Sequence, residues 1–268
     1  MKIGLIIIGD EILSGKRADK HLPKVIEVLA ARGLALSWAR YVGDDPVRIT
    51  ADLKDAFASG ELVFSCGGIG ATPDDHTRQC AAAALGVPLA LHPEARDFVI
   101  ERMKDVAREQ GTTFDPDRDD NRHRLNMAVF PDGSDIIPNP YNKIAGFSVR
   151  RGEGGVFFVP GFPVMAWPMI EWVLDTVYAH RRVAAATRER SVIVFGSMEA
   201  TLTPLMESIE AAFAGVKVFS LPSVDHPEWG RHIELGVKGD PERLAPAYAA
   251  MLDGLRAQGV ELGPELVR

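Results

Sequence analysis

A chain of 268 residues, 46% hydrophobic and 25% charged, is that of an ordinary globular protein with one or two domains rather than a disordered or fibrous one. Thirty basic against 37 acidic side chains leave a formal net charge of −7, which argues against nonspecific binding to nucleic acid or to an anionic membrane surface. Any anionic ligand has to be held by local geometry instead. The two cysteines, Cys66 and Cys80, are too few for a disulfide framework and lack a CxxC zinc pattern, so they read as reduced core thiols in a cytoplasmic protein.

The first apolar run, Ile3 to Ile8, is too short for a membrane span and leads straight into Asp10 and Glu11, so it reads as a buried strand. Helical and strand-like stretches then alternate. Leu22 to Ala31 is a helix, Leu36 to Val42 a strand, Val47 to Phe57 a helix, Leu62 to Ser65 a strand and Arg78 to Leu85 a helix. That order implies right-handed βαβ crossovers and a mainly parallel sheet. Ligands of such sheets gather beyond the carboxyl ends of the strands. The turns carrying Glu11, Asp44 and Gly67 to Asp75 each follow a strand, so they are expected to converge on one rim.

The stretch from Ser65 to Thr77, SCGGIGATPDDHT, is the most informative of these turns. Gly67, Gly68 and Gly70 let the backbone take up positive φ and bring its N–H groups close to an anion, and the helix that follows adds partial positive charge. Asp74 and Asp75 would repel a phosphate if nothing lay between them, which argues for a bridging divalent cation. The competing reading is a glycine turn with Thr72 or Asp74 as an N-cap. Thr72 and Thr77 serve equally well as phosphate ligands or caps, and His76 reads as an exposed residue at the helix start. Asp45 before Pro46 has the pattern of an N-cap, which leaves Asp44 as the better site candidate. Glu11, between Gly9 and Gly15, can reach the rim without crowding.

Further along, Pro93 to Gln110 is a helix, and the aspartate-rich Gly111 to Asp119 reads as a solvated connection, with a lid as the alternative. Asp135 to Pro138, Gly146 to Arg151 and Gly155 to Val159 are short strands, and Met165 to His180 is a helix. The charged segment 181–190 reads as a linker. Ser191 to Phe195, Leu202 to Phe213, Val216 to Phe219, His232 to Val237 and Pro241 to Gln258 then form a small α+β domain of βαββα order.

Four of these segments, in this order, resemble the MoaB/Mog molybdopterin-binding family in the form found at the N-terminus of CinA (competence/damage-inducible protein A). They are Gly9 to Gly15, Tyr41 to Asp45, Gly67 to Thr77 and Pro160-Gly161-Phe162-Pro163. The resemblance implies a three-layer MoaB/Mog-like α/β fold over residues 1–180 with a mainly parallel central sheet, a linker at 181–190 and a small α+β domain at 191–268. It also implies ligand contacts from Glu11, Gly67, Gly68, Gly70, Thr72, Thr77, Pro160 and Gly161, and a metal held by Asp44, Asp74 and Asp75, of which Asp75 and Asp44 act in catalysis. The implied ligand is molybdopterin, or a nucleotide, with Mg²⁺. The implied activity is adenylyl transfer or hydrolysis at a nucleotide pyrophosphate of the ADP-ribose type, in a homodimer or homotrimer that lacks the amidase domain following in longer CinA proteins. Four departures from the pattern keep a non-catalytic pterin or nucleotide carrier open as the alternative. Ala71 replaces a proline, His21 an asparagine and Met165 a glutamate, and Asn142-Lys143-Ile144-Ala145-Gly146 stands where Gly-Thr-Ala-Pro-Gly is usual. Lys143 could meet a phosphate there or be a surface lysine.

Overall fold

The structure is a computed structural model and describes residues 1–182 and 188–267. The chain divides into two compact units, Met1–Arg182 and Val183–Arg268.

The first unit begins with β1 (Ile3–Ile8), whose residues are all buried, as suits a strand covered on both faces. A short helix α1 (Asp10–Leu13), which the residue pattern does not announce, turns the chain into α2 (His21–Ala30), and β2 (Trp38–Val42) follows. Next come α3 (Pro46–Ser59), β3 (Leu62–Cys66) and α4 (Thr77–Leu85). Asp45 caps α3 by accepting from the Val47 amide at 2.9 Å, with Pro46 at the first helical position. β4 (Leu89–Leu91), α5 (Pro93–Glu109), α6 (Asp119–Arg124) and β5 (Val129–Pro131) form an annex in which β4 and β5 pair as a separate two-stranded ribbon. The unit closes with β6 (Asp135–Ile137), β7 (Gly146–Arg151), β8 (Gly154–Val159) and α7 (Pro163–Trp172).

The main sheet has the order β2-β1-β3-β8-β7-β6. The first four strands run parallel, while β7 and β6 pair antiparallel. Alternate residues of the central strands serve opposite faces. Ile6, Ile8, Val63 and Phe158 pack with Ile49, Leu53, Ala81 and Val99 of α3, α4 and α5. Leu5, Ile7, Phe64 and Phe157 pack with Val25, Leu29, Met169 and Ile170 of α2 and α7. The result is the expected three-layer α/β fold around a mostly parallel sheet. The long helix expected from Met165 to His180 is shorter and starts earlier. Pro168 lies inside α7, which loosens into a π turn at Val173–Val177 and a tight turn at Ala179–Arg181.

The second unit contains β9 (Arg188–Phe195), α8 (Glu199–Ala212), β10 (Lys217–His226), β11 (Gly230–Gly239), α9 (Pro241–Ala257) and β12 (Glu261–Val267). These make an antiparallel sheet of order β10-β11-β9-β12 whose core joins Val192, Val194, Leu235 and Val237 to Leu202, Ile209 and Met251. The expected βαββα unit is therefore βαββαβ, with a last strand on the edge. Of the segment read as a linker, Arg181 ends a helical turn, Glu189 and Arg190 lie in β9, and 183–187 lie outside the described residues. Among the described residues, no helix is long and apolar enough to cross a membrane.

Candidate functional site

The turns that leave β1, β2, β3 and β8 all emerge at the carboxyl end of the parallel strands. Because β7 runs antiparallel to β8, with Phe147 opposite Phe158, the chain enters β7 at that same rim. Five loops therefore surround one cleft of about 420 Å³. Glu11, Asp44, Gly67, Gly68 and Gly70 line it, as do Thr72, Asp74, Asp75, Pro160 and Gly161. Of the residues assigned to the ligand or the metal in the sequence, Thr77 alone does not. The opposite wall is apolar and comes from Met127, Ile144, Phe162 and Met165.

The glycine loop is held from behind. Gly67 and Gly68 have φ values of +108° and +68°, which L side chains rarely adopt. The Gly67 amide donates to the Val159 carbonyl at 3.0 Å, which joins the loop to the end of β8. Thr77 is fully buried, and its hydroxyl donates to the Gly67 carbonyl at 3.0 Å while its amide donates to the Gly68 carbonyl at 3.0 Å. Its expected role as a phosphate ligand is thereby corrected, because the hydroxyl supports the loop rather than facing the cleft. Arg78, 5% exposed, donates from Nη2 to the Gly70 carbonyl at 2.6 Å. With these carbonyls turned inward, no acceptor among the described residues meets the amides of Gly68, Ile69 and Gly70. Such a row of N–H groups suits an anion.

The expected N-cap at Thr72 or Asp74 is also absent. The residue before α4 is His76, half-buried and without a side-chain cap bond. Asp75 instead closes the turn ahead of it, its Oδ2 accepting from the Thr72 amide at 2.8 Å and the Thr72 hydroxyl at 2.5 Å.

The two acidic turns brace each other. The Asp10 amide donates to Asp44 Oδ2 at 2.9 Å and the Asp44 amide donates to Asp10 Oδ1 at 3.1 Å. Burial raises the Asp44 carboxyl above its ordinary value; the Asp10 amide opposes this, and the charges of Asp10, Glu11 and Asp74 add to it. Hydrogen bonding within the turn, from Thr72 and from its own backbone, holds the Asp74 carboxyl below its ordinary value, and the nearby His76 adds to this. Arg17 lies 3.8 Å from Glu11 and places its guanidinium 5.8 Å from the centre of the Phe162 ring, which brings a cation to the cleft. Asp44, Asp74 and Asp75 line one cleft, yet among the described residues no three acidic, histidine or cysteine side chains stand close enough to hold a metal by themselves. Any cation there needs oxygens beyond those of these side chains.

All four departures from the family pattern reach the rim, with Ala71 in the glycine loop that lines the cleft. His21 is 4% exposed, with Nε2 2.9 Å from the Gly161 carbonyl and a buried Nδ1 that has no partner. It lines a side cavity of about 310 Å³ that also touches Cys66 and shares Glu11, Arg17 and Gly161 with the main cleft. Met165 and Asn142 face the cleft itself. Lys143 turns away from any phosphate and pairs with Glu101 at 3.2 Å and Asp105 at 3.0 Å on α5. Sequence reasoning did not find Arg17, Arg78 or Met127. Arg17 carried the faint signal of a lone cation just past a glycine turn, whereas Arg78 and Met127 look like ordinary helix and loop residues.

Residues 4–180 match the model of a family described as a probable molybdopterin binding domain. A CinA-like protein of Anaeromyxobacter dehalogenans (strain 2CP-C) is 33% identical over 222 residues, 81% of this chain and 51% of that protein. Another, from Geobacter sulfurreducens, is 31% identical over 219 residues, again 81% and 51%. The chain spans about half the length of these relatives. The crystal structure of the protein CinA with unknown function from Thermoplasma acidophilum is similar with a TM-score of 0.56 at 24% identity, covering 66% of this chain and 99% of that one. This last likeness is one of fold.

Proposed function

The chain belongs to the family of probable molybdopterin binding domains, and from that premise we propose that its rim cleft binds a phosphorylated pterin or a nucleotide together with Mg²⁺ and acts at a pyrophosphate bond. The observation that carries this reading is the glycine loop, whose carbonyls are tied back by Thr77 and Arg78 while the Gly68, Ile69 and Gly70 amides remain for an anion.

The acidic side of the cleft fits a divalent cation. Asp44 is crowded by the like charges of Asp10, Glu11 and Asp74, a strain that a bound cation would relieve. Asp44, Asp74 and Asp75 would hold it with the phosphate oxygens, since Mg²⁺ is commonly bound by one or two carboxylates plus substrate phosphates. Bound there, Mg²⁺ would supply neutralisation of the phosphate charge. The loop amides orient the phosphate, and Arg17 adds a positive charge at the cleft wall.

One observation favours the alternative of a non-catalytic carrier or sensor. Two hydrogen bonds from Thr72 already engage one oxygen of Asp75, the residue assigned the leading catalytic role, so its place in the loop has a purely architectural explanation. Calorimetry and turnover assays with inorganic pyrophosphate, ADP-ribose and a pterin phosphate, each with and without Mg²⁺, separate the readings. Mg²⁺-dependent product formation supports the enzyme, tight binding without turnover supports the carrier, and failure to bind any of these probes overturns both.

A further inference from the structure

The loop entering β7 carries a side chain whose orientation is fixed although nothing strong receives it. Asn142 Oδ1 accepts from Asn139 Nδ2 at 2.8 Å and from the Ile144 amide at 3.0 Å. Both partners are donors, so the network assigns the oxygen to the loop and turns the NH₂ group outward. Among the described residues Asn142 Nδ2 meets only the Met165 sulfur, at 3.2 Å, and a thioether is a weak acceptor.

The loop is also rigidly held. Buried Asn139 donates to the Ile144 carbonyl at 2.9 Å and accepts from the Tyr141 amide at 3.0 Å. Lys143 is the one non-glycine residue with positive φ among the described residues, at +67°; its amide donates to the Asn139 carbonyl at 3.0 Å and its side chain makes two ion pairs to α5. Unusual backbone conformations of this kind persist where their surroundings over-determine them.

The wall around this amide is apolar. Met127, Ile144 and Met165 line the cleft beside Asn142, and a smaller cavity of about 220 Å³ continues past Asn142, Met127 and Ile144 to Arg102 and Arg124, whose charges are met by Glu109 at 2.9 Å and Asp120 at 3.3 Å. On the side of the main cleft, which neither arginine lines, an apolar wall bearing one fixed N–H donor suits a flat ring with a hydrogen-bond acceptor on its edge better than a phosphate.

We propose that Asn142 is a specificity-determining residue: its Nδ2 donates to a ring oxygen or ring nitrogen of a phosphorylated heterocycle, while Met127, Ile144 and Met165 pack against the ring. The assignment rests on the glycine loop holding the phosphate of the same ligand. A ring carbonyl of a pterin and a ring nitrogen of a purine both supply the acceptor.

The test is calorimetry on the full chain with Mg²⁺, using neopterin triphosphate, ADP-ribose and inorganic pyrophosphate as probes. Asn142→Asp keeps an oxygen for Asn139 and Ile144 but offers the ligand no donor, and Asn142→Ala removes the donor without adding charge. Both variants are expected to bind a ring-bearing probe about ten- to a hundredfold more weakly than the parent, with pyrophosphate affinity in Asn142→Ala unchanged. The ring probe with the larger loss identifies a pterin or a purine. Parental affinity of both variants for both ring probes overturns the assignment and leaves the phosphate reading intact, as does a parent that binds pyrophosphate but gains nothing from either ring. A parallel loss of pyrophosphate binding in Asn142→Ala also overturns it, because the effect then lies in the loop as a whole. A parent that binds none of the three probes overturns the phosphate reading and this inference with it.

Discussion

The hydroxyl of Thr77 stands where a β-carbon on Gly68 would have to sit, and that same hydroxyl donates to the Gly67 carbonyl at 3.0 Å. The glycine is therefore required from behind the loop as well as by its φ of +68°. A residue ten positions away in sequence from Gly67 thus sets the shape of the glycine loop.

Gly68→Val is expected to leave the two-unit fold in place and to abolish pyrophosphate binding. Positive φ in a residue with a β-carbon costs about 1–2 kcal/mol, and Thr77 has to move in addition. Thr77→Val should show a milder form of the same defect, because the Gly67 carbonyl loses its side-chain donor at a cost of about 1–3 kcal/mol, whereas Thr77→Ser keeps the hydroxyl and most of the affinity. Thermal melts and calorimetry check this. A folded Gly68→Val with parental affinity removes the loop from the site.

Asp44 links the cleft to pH. Its folded carboxyl lies above the ordinary 3.8, so the folded chain keeps this proton at pH values where the unfolded chain has released it. Its contribution to stability is present below the ordinary value and is lost as pH rises through the interval up to the raised one. Mg²⁺ needs the ionised carboxylate, so cation affinity should climb with pH over the same interval. Asp44→Asn is expected to weaken Mg²⁺-dependent ligand binding by about tenfold or more and to flatten that pH dependence. A profile identical to the parent's would remove Asp44 from the cation's surroundings.

Asp75→Asn separates enzyme from carrier. The amide keeps an oxygen that can accept from the Thr72 amide and hydroxyl, so the turn should persist. If Asp75 helps hold a catalytic cation, turnover should fall on the order of 100-fold or more, with a smaller effect on binding. Equal rates in variant and parent would shift attention to Glu11 and Asp44.

Each unit has its own core, so limited proteolysis is expected to cut first between residues 182 and 188 and to release a fragment ending near Arg182 that still melts cooperatively and binds pyrophosphate. Cleavage first within residues 1–180 would contradict this division.

Much of the rim was legible because parallel strands obey a strong rule. Once Ile3 to Ile8, Leu36 to Val42 and Leu62 to Ser65 read as successive βαβ strands, Glu11, Asp44 and the glycines had to share an edge. The Asn142 wall was harder to place, since a reversal of strand direction at β7 leaves no mark in hydrophobic pattern, and it is that reversal which brings an entering loop to the same edge. The second unit lost its last strand in the reading because Gly263 and Pro264 interrupt β12, where the pairing with β9 shifts register between Leu262 and Glu265. An edge strand tolerates such a break. The same tolerance carries β10 through Pro222, beyond the Phe219 at which its apolar run ends. Thr77 and Arg78 were misjudged or overlooked because their polar groups face inward to backbone carbonyls, a direction that residue type does not reveal.

The pairing of Ile137 with Gly146 holds the two ends of the 138–145 loop side by side across neighbouring strands. A segment anchored in this way can be exchanged as a cassette, since its replacement meets the sheet through ends already in register. The glycine loop has no comparable freedom, because its backbone angles, Thr77 and Arg78 interlock. If Asn142 sets ring preference as proposed, transplanting 138–145 from another chain of the same fold is expected to redirect that preference through one hairpin-like insert while the glycine loop stays as it is.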